Sequence, residues 1–381
     1  MCFNNKNIYV DYNSTTPIDS RVLDAMLPFL KENFGNSSST HHFGQIINKS
    51  VKQAREKIAH FINSESNEII FTSGATEAIN IALKGIAESY TGKGKHIITV
   101  STEHKAVIDT CKELERKGFE VTFLPVKENG LVCLDVLEQS IRLDTILVSV
   151  MYVNNETGII QPIKKIASLA HKKGVLFMTD ATQALGKIDI DVDELGVDLL
   201  CFSGHKMYAP KGIGALYIRR SGNKVNLTPQ IHGGGHEIGL RSGTLNVPGI
   251  IALAKACEIA GQEMEENETI IFELRNKLES ELLKLQNTSL NGDLAKRIYN
   301  TTNICFQGQD ANVLIGRMRN IAVSNGSACS SAIFEPSHVL KSMGLSNDDA
   351  FASLRFSLGK YNTMEDVAIV IEKIKELTEP N

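Results

Sequence analysis

The stretch Asp198-Leu199-Leu200-Cys201-Phe202-Ser203-Gly204-His205-Lys206-Met207-Tyr208-Ala209-Pro210-Lys211-Gly212-Ile213-Gly214-Ala215-Leu216-Tyr217-Ile218 decides how this chain is read. Its first five residues read as a buried strand and its last six as another, which puts Lys206 in the turn between two strands. A lysine in a turn is ordinarily a solvated cation. Here the Ser203 hydroxyl and the His205 imidazole stand within three residues of it, among glycines that expose backbone. Such a group binds a phosphate while holding an amine beside it. Pyridoxal phosphate requires that arrangement, together with an acid facing its pyridine nitrogen.

The acid is Asp180. It closes an apolar strand over 175–180, one strand-helix unit before Lys206, and Ala181-Thr182-Gln183 follow. An aspartate there also serves as a plain turn cap; against a pyridine nitrogen it would keep the ring cationic and electron-withdrawing. Gln183 is placed to hydrogen-bond the ring hydroxyl. Upstream, a strand over 68–72, the turn Ser73-Gly74-Ala75-Thr76 and a helix over 77–88 form a second phosphate candidate, because a small-residue turn opening a helix offers free N–H groups. A simple N-cap is the other reading. Strands over 96–100 and 121–125 around a helix over 106–117 continue an alternation that argues for a largely parallel sheet. His104 follows one of these strands at the edge where open α/β sheets bind ligands. It is a candidate general acid or base, a ring to stack on a flat cofactor, or an ordinary surface histidine. A strand over 145–153 brings Asn155 to the same edge.

Around this centre, the chain begins with an extended piece over 8–11, a turn over 13–17, and a helix capped by Asp19 with Val22, Leu23, Met26, Leu27 and Leu30 on its apolar side. A polar loop over 34–42 precedes a helical stripe over 45–62. Helical patterning over 248–285 leads out of the first domain, and a strand over 298–306, helix over 311–318, strand over 321–324 and final helix over 363–377 suit a smaller α+β domain. The expected division is a large domain over 14–257 and a small one made of 1–13 and 258–381. Within the latter, Cys329 stands among glycine, alanine and serines with no apolar neighbour to bury it, unlike Cys201. It is either a reactive, exposed thiol or an incidental loop cysteine. Arg355, on a short strand, carries the fork that clamps a carboxylate.

Composition narrows the function classes. With 381 residues, 42% of them apolar, the chain can bury a sizeable core. A net charge of −4 without a basic block gives no reason to expect a nucleic acid partner. No apolar run approaches membrane-spanning length and the first residues lack an apolar signal core, so a soluble, cytoplasmic protein is expected. Seven widely spaced cysteines without a CxxC pair point away from disulfides and zinc, and most should be ordinary buried residues.

Several segments, in order, resemble those of the cysteine desulfurases, a class V aminotransferase branch of the fold type I pyridoxal phosphate enzymes. They are 34–44, Ser73 to Glu77, Glu103-His104-Lys105, Val153 to Gly158, Asp180 to Gln183, Ser203 to Gly214, Arg241 to Thr244, Gly326 to Cys329 and Arg355 to Gly359. The similarity is greatest to the NifS/IscS group and spans nearly the whole chain. It implies a mainly parallel seven-stranded sheet in the large domain. It further implies that Lys206 carries the cofactor, that Asp180, Gln183 and His104 face its ring, and that Ala75, Thr76, Ser203, His205 and the partner subunit's Thr244 hold its phosphate. The chain would then be a homodimer. Asn155 and Arg355 would bind L-cysteine, and Cys329 would accept its sulfur as a persulfide, leaving L-alanine. The persulfide would pass to acceptor proteins for iron–sulfur cluster assembly or tRNA thiolation, and the family permits a transient cluster held through Cys329.

A long arm from Asn325 to about Pro336 suits that transfer. Departures from the family pattern at Ser14, Ser37, Thr182, Gly204 and Ala209 remove no reacting group. The end at Asn381 lacks the longer tail that related proteins use to dock a scaffold, which leaves nitrogenase-linked, housekeeping and tRNA roles open. A selenocysteine lyase or other β-lyase that dispenses with Cys329, and a non-catalytic binding platform, are the competing readings.

Overall fold

The apolar runs form one seven-stranded sheet in a computed structural model that describes residues 6–222, 224–326 and 335–378. Across it lie Ile69–Thr72, Gly214–Ile218, Leu199–Ser203, Leu176–Asp180, Thr145–Ser149, His96–Val100 and Glu120–Leu124. Gly214–Ile218 alone runs against the others, pairing antiparallel with both neighbours. Successive strand residues point to opposite faces. Along Leu199–Ser203, Leu200 and Phe202 enter the core shared with the helix Val247–Leu282. Leu199 and Cys201 enter the core beneath the helices Ala75–Ser89 and Lys105–Arg116. Burial on both faces explains why these strands read as unbroken apolar runs.

Six strands therefore end at one edge of the sheet, and that edge carries the chemistry. The run expected as a strand over 145–153 is shorter, ending at Ser149. Its neighbour His96–Val100 pairs no further than Val148, while Val150 and Tyr152 still donate to the carbonyls of Met178 and Asp180. The helix expected from 77 begins at Ala75, so the turn residues Ala75 and Thr76 form its first turn.

A second layer is built from the antiparallel strands Ser353–Ser357, Thr301–Phe306 and Thr288–Leu290, with the parallel pair Ile8–Tyr9 and Ile321–Ala322 beside it. Its inward residues, among them Ile304 and Phe356, belong to the same continuous core as Phe202. The N-terminal segment thus starts in the smaller layer and crosses to the larger.

One buried contact fixes that crossing. Asp19 caps the helix Ser20–Lys31, and its Oδ2 lies 2.5 Å from Lys360 Nζ. Lys360 Nζ is also 3.0 Å from Glu263 and 4.7 Å from the centre of the Tyr208 ring, and its backbone N–H donates to Tyr208 Oη at 2.9 Å. Tyr208 adopts φ +64°, a left-handed conformation that a bulky residue rarely takes. Arg21 and Lys360 hold the Asp19 carboxyl well below the usual range against the opposing effect of burial. The same helix corrects one expectation: Leu23 and Leu30 stay exposed, and Val22 is its buried residue. It packs on Val247–Leu282 through a narrow stripe that Met26 and Phe29 complete.

Replacing Asp19 by Ala is expected to cost roughly 3 kcal/mol in urea unfolding, because it strips a buried cation of one partner. Replacing half-exposed Arg21 by Ala is expected to cost less than about 1 kcal/mol.

Candidate active site

At the shared edge the strand ends surround a cavity of about 780 Å³. Ser203 enters it from the end of its strand and His205 and Lys206 from the hairpin turn, Ala75 and Thr76 from the first helix turn, Asp180 from the end of its strand, and His104 and Asn155 from beyond two others. Gln183 and Arg355 complete the group that the sequence singled out. Two expected residues are not in it. Thr244 is exposed and does not line the cavity of a single chain. Cys329 lies outside the described residues, although Ser324, Asn325 and Gly326, which precede it, line the cavity.

Lys206 Nζ donates to the carbonyl oxygens of Asn13 and Ser14, both at 2.6 Å. Burial first, and then the Arg355 charge, bring this amine down to about 8, against the pull of Asp11 and Asp180. Asn13 is itself anchored on the smaller layer, through Ser357 Oγ at 3.0 Å and Thr301 Oγ1 at 2.9 Å. By sequence this N-terminal stretch is a plain turn. Its contribution is made by backbone carbonyls, which every residue carries, so side-chain identity gave no signal.

The helix Ala75–Ser89 has no side-chain cap at Gly74, whose φ of +157° suits glycine. Its leading N–H groups therefore face the cavity opposite Ser203 and His205, with the positive end of the helix behind them. A side chain at Gly214 would collide with the Gly74 backbone, which is why the hairpin can approach this turn so closely. His205 Nδ1 is 3.1 Å from Thr15 Oγ1. Burial, followed by the neighbouring lysines, brings its imidazole down to about 4, so it is neutral at physiological pH. Glu77 locks the turn by accepting from Ser73 and from Arg241 Nε at 2.6 Å.

Asp180 is 5% exposed and accepts from Thr182 N–H at 2.9 Å. Beside it, Thr182 Oγ1 is buried without a hydrogen-bond partner among the described residues. Gln183 donates from Nε2 to Asn13 O at 2.8 Å and accepts at Oε1 from Lys187 at 2.9 Å. Lys187, which no sequence motif marks, is pushed down to about 7 by burial and by the charges of Lys206 and Arg355. His104 caps the helix Lys105–Arg116 by accepting from Ala106 N–H at Nδ1, 3.1 Å away. In the neutral ring this leaves the proton on Nε2.

Arg355 is already engaged, with NH2 2.5 Å from Asp11 and 2.8 Å from Ser14 Oγ, and NH1 2.9 Å from the carbonyl of Asn155. Its Nε has no partner among the described residues. The clamp read from sequence is thus a guanidinium oriented by Asp11, with three of its five N–H donors already engaged. Together, an uncapped helix end beside a hydroxyl and a neutral imidazole, an amine, a buried carboxylate and an orphaned hydroxyl fit pyridoxal phosphate.

A family model described as aminotransferase class-V matches residues 8–370. The cysteine desulfurase IscS of Methylococcus capsulatus is 50% identical over 370 residues, covering 97% of this chain and 92% of that protein. Among solved structures, a NifS-like protein superposes with a TM-score of 0.92 at 41% identity, covering 97% of this chain and 99% of its own. SspA in complex with cysteine gives 0.81 at 38% identity, covering 93% and 100%. A match of that length, on a fold and a cavity of this kind, makes the chain a member of the class-V aminotransferases, within the cysteine desulfurase branch.

Proposed function

We infer that this chain is a pyridoxal phosphate-dependent cysteine desulfurase, which takes sulfur from L-cysteine and leaves L-alanine. The observation that carries this is the convergence of Lys206, Asp180 and Arg355 on one cavity in a chain so similar to known desulfurases. When bound, the cofactor supplies an electrophilic carbon for the substrate amine and a ring that takes up the charge released at Cα. Lys206 carries it and moves the Cα proton, with an amine that is partly unprotonated near neutrality. Asp180 and Gln183 orient the ring, the Gln183 amide being held between Lys187 and the Asn13 carbonyl. Ala75, Thr76, Ser203 and His205 hold the phosphate. His104 stacks on the ring or exchanges protons through Nε2. Arg355 and Asn155 receive the substrate.

Cys329 then attacks the substrate sulfur. An S–S bond forms, the substrate Cβ–S bond breaks, and the electron pair left on carbon is protonated to give alanine. The resulting persulfide serves an acceptor protein in iron–sulfur cluster assembly or tRNA thiolation. A transient cluster at Cys329 belongs to this proposal as well; among the described residues no group of three or more His, Cys, Asp or Glu is arranged to hold a metal. All five described cysteines are free thiols, four of them buried, which suits a reducing cytoplasm. No helix among the described residues is long and apolar enough to cross a membrane. We place the domain boundaries at 14–257 for the large unit, with 1–13 and 258–381 in the small one; the pairing of Ile8–Tyr9 with Ile321–Ala322 supports this.

A homodimer is part of the reading. Phe34 and Phe43 stack on the surface at 74% and 59% exposure, and Ser38 of their loop contacts His236, close to exposed Ile238 and to Thr244. An apolar patch beside a phosphate-binding candidate that faces away from its own cavity suits a second copy of the chain.

Incubating the holoenzyme with L-cysteine without reductant is expected to give alanine and added sulfur on the Cys329 peptide by mass spectrometry. Alanine without persulfide would favour a β-lyase. Cys329→Ala is expected to abolish turnover of L-cysteine, and retention of that activity would sink the desulfurase mechanism. Lys206→Ala should leave no cofactor attached after borohydride reduction. Cofactor uptake by the apo-protein should rise with pH up to about 8 and then level, since the neutral amine reacts. Phe34→Asp combined with Phe43→Asp is expected to shift sedimentation to a monomer and to lower alanine production; a dimer unchanged by these charges would refute the patch as its interface.

A further inference from the structure

Glu156 follows Asn155 in the loop at the cavity edge, yet neither the fold nor the chemistry above uses its carboxyl. It is 3% exposed. Its backbone is fixed at both ends: the N–H donates to Asn154 Oδ1 at 2.9 Å, and the carbonyl accepts from Asn303 Nδ2 at 3.2 Å. The side chain is therefore aimed rather than free, and it is aimed at two places far apart in sequence. Ser337 Oγ donates to Oε2 at 2.5 Å. On the other side, Oε2 occupies the space that a Cβ on residue 326 would need, so Gly326, at φ +77°, packs directly against the carboxyl.

These two neighbours are the flanks of the sequence that carries Cys329. On the leading side, Ser324 exchanges backbone hydrogen bonds with Arg355, and Gly326 N–H donates to Ser324 Oγ at 3.2 Å. On the trailing side, Ser337 caps the helix His338–Ser342 by accepting from Leu340 N–H, and His338 Nε2 lies 2.9 Å from the carbonyl of Glu103. Each flank has its own anchor, and the Glu156 carboxyl is the group that both of them touch.

We propose that Glu156 is a positioning residue for sulfur transfer, tying both flanks of the Cys329-bearing segment to the loop that carries Asn155. This rests on the desulfurase reading but concerns a different residue and a different readout. Burial pushes the Glu156 carboxyl up to about 7, against the opposing charges of Arg355 and Lys105. The hydrogen bond from Ser337 to a carboxyl oxygen can be made in either protonation state. The tie therefore needs an oxygen acceptor of the right length more than it needs a charge.

The test is the alkylation rate of Cys329 by iodoacetamide in the holoenzyme, followed on its peptide by mass spectrometry, with Cys133 as the internal reference. Alkylation requires no turnover, so it reports on the tie even if the desulfurase reading fails. Glu156→Ala and, as an independent route to the same contact, Ser337→Ala should each change the Cys329 rate by about threefold or more and leave Cys133 unchanged. Persulfide formation should slow by roughly tenfold or more, with KM for L-cysteine nearly unchanged, because misplacement of the attacking group affects the transfer step. Glu156→Gln, which keeps the acceptor oxygen and the volume, should behave as the parent does. Unchanged Cys329 alkylation in both variants would overturn the proposal. A parallel change at Cys133 would also overturn it, by showing general loosening, and so would a raised KM alone, by showing that Glu156 acts through Asn155.

Discussion

The Lys360 ammonium, held between Asp19 and Glu263 against the Tyr208 ring, is the contact on which the geometry of the site depends. It joins four parts of the chain: the first helix, the turn that carries Lys206, the helix Val247–Leu282 and the segment that follows the Arg355 strand. A buried ion pair of this kind adds little net stability over an apolar replacement, because desolvation offsets most of the attraction, but losing one partner is costly. Its effect is mainly on arrangement. Tyr208 is kept in an unfavourable backbone conformation two residues after Lys206, and it persists because its hydroxyl, carbonyl and ring are each held. The turn is thereby set before any cofactor or substrate arrives.

Charge inside the cavity follows the same logic. Lys206 and Arg355 line it with Asp11 and Asp180 as their counterweights, Lys187 is buried behind Gln183, and burial together with the mutual repulsion of these cations lowers the two amines. An anionic phosphate and a substrate carboxylate complement that buried positive charge. The neutral His205 contributes a hydrogen bond to the cavity without adding another charge. Asp11 has a further effect: by engaging NH2 it fixes the plane of the Arg355 guanidinium.

Much of this was legible in the chain. The strands ending at Asp180 and Ser203 are doubly buried apolar runs, and the residues at their ends are polar because the edge of a parallel sheet is where backbone and side-chain groups stay free. Lys206, Asp180, Gln183, Ser203, His205, Ala75 and Thr76 could be read for that reason, each lying at or within a few residues of an element boundary. The overlong strand over 145–153 and the exposed Leu23 and Leu30 show the limit of such reading. An apolar run marks what can be buried, and the length of the neighbouring strand and the width of the packing stripe decide what is.

Sequence alone therefore determined the sheet, the order of its helices and the residue types available at its edge, because hydrophobic period and turn chemistry are local. It also determined the family, since so many short segments in one order are rarely met by accident. Tertiary structure alone decided which backbone carbonyls receive Lys206, that Asp11 orients Arg355, that Lys187 holds the Gln183 amide, and that Glu156 reaches both Gly326 and Ser337. Each of these is a contact between residues remote in sequence, made by groups whose local surroundings are unremarkable. Only closure of the smaller layer onto the sheet brings them within hydrogen-bonding range.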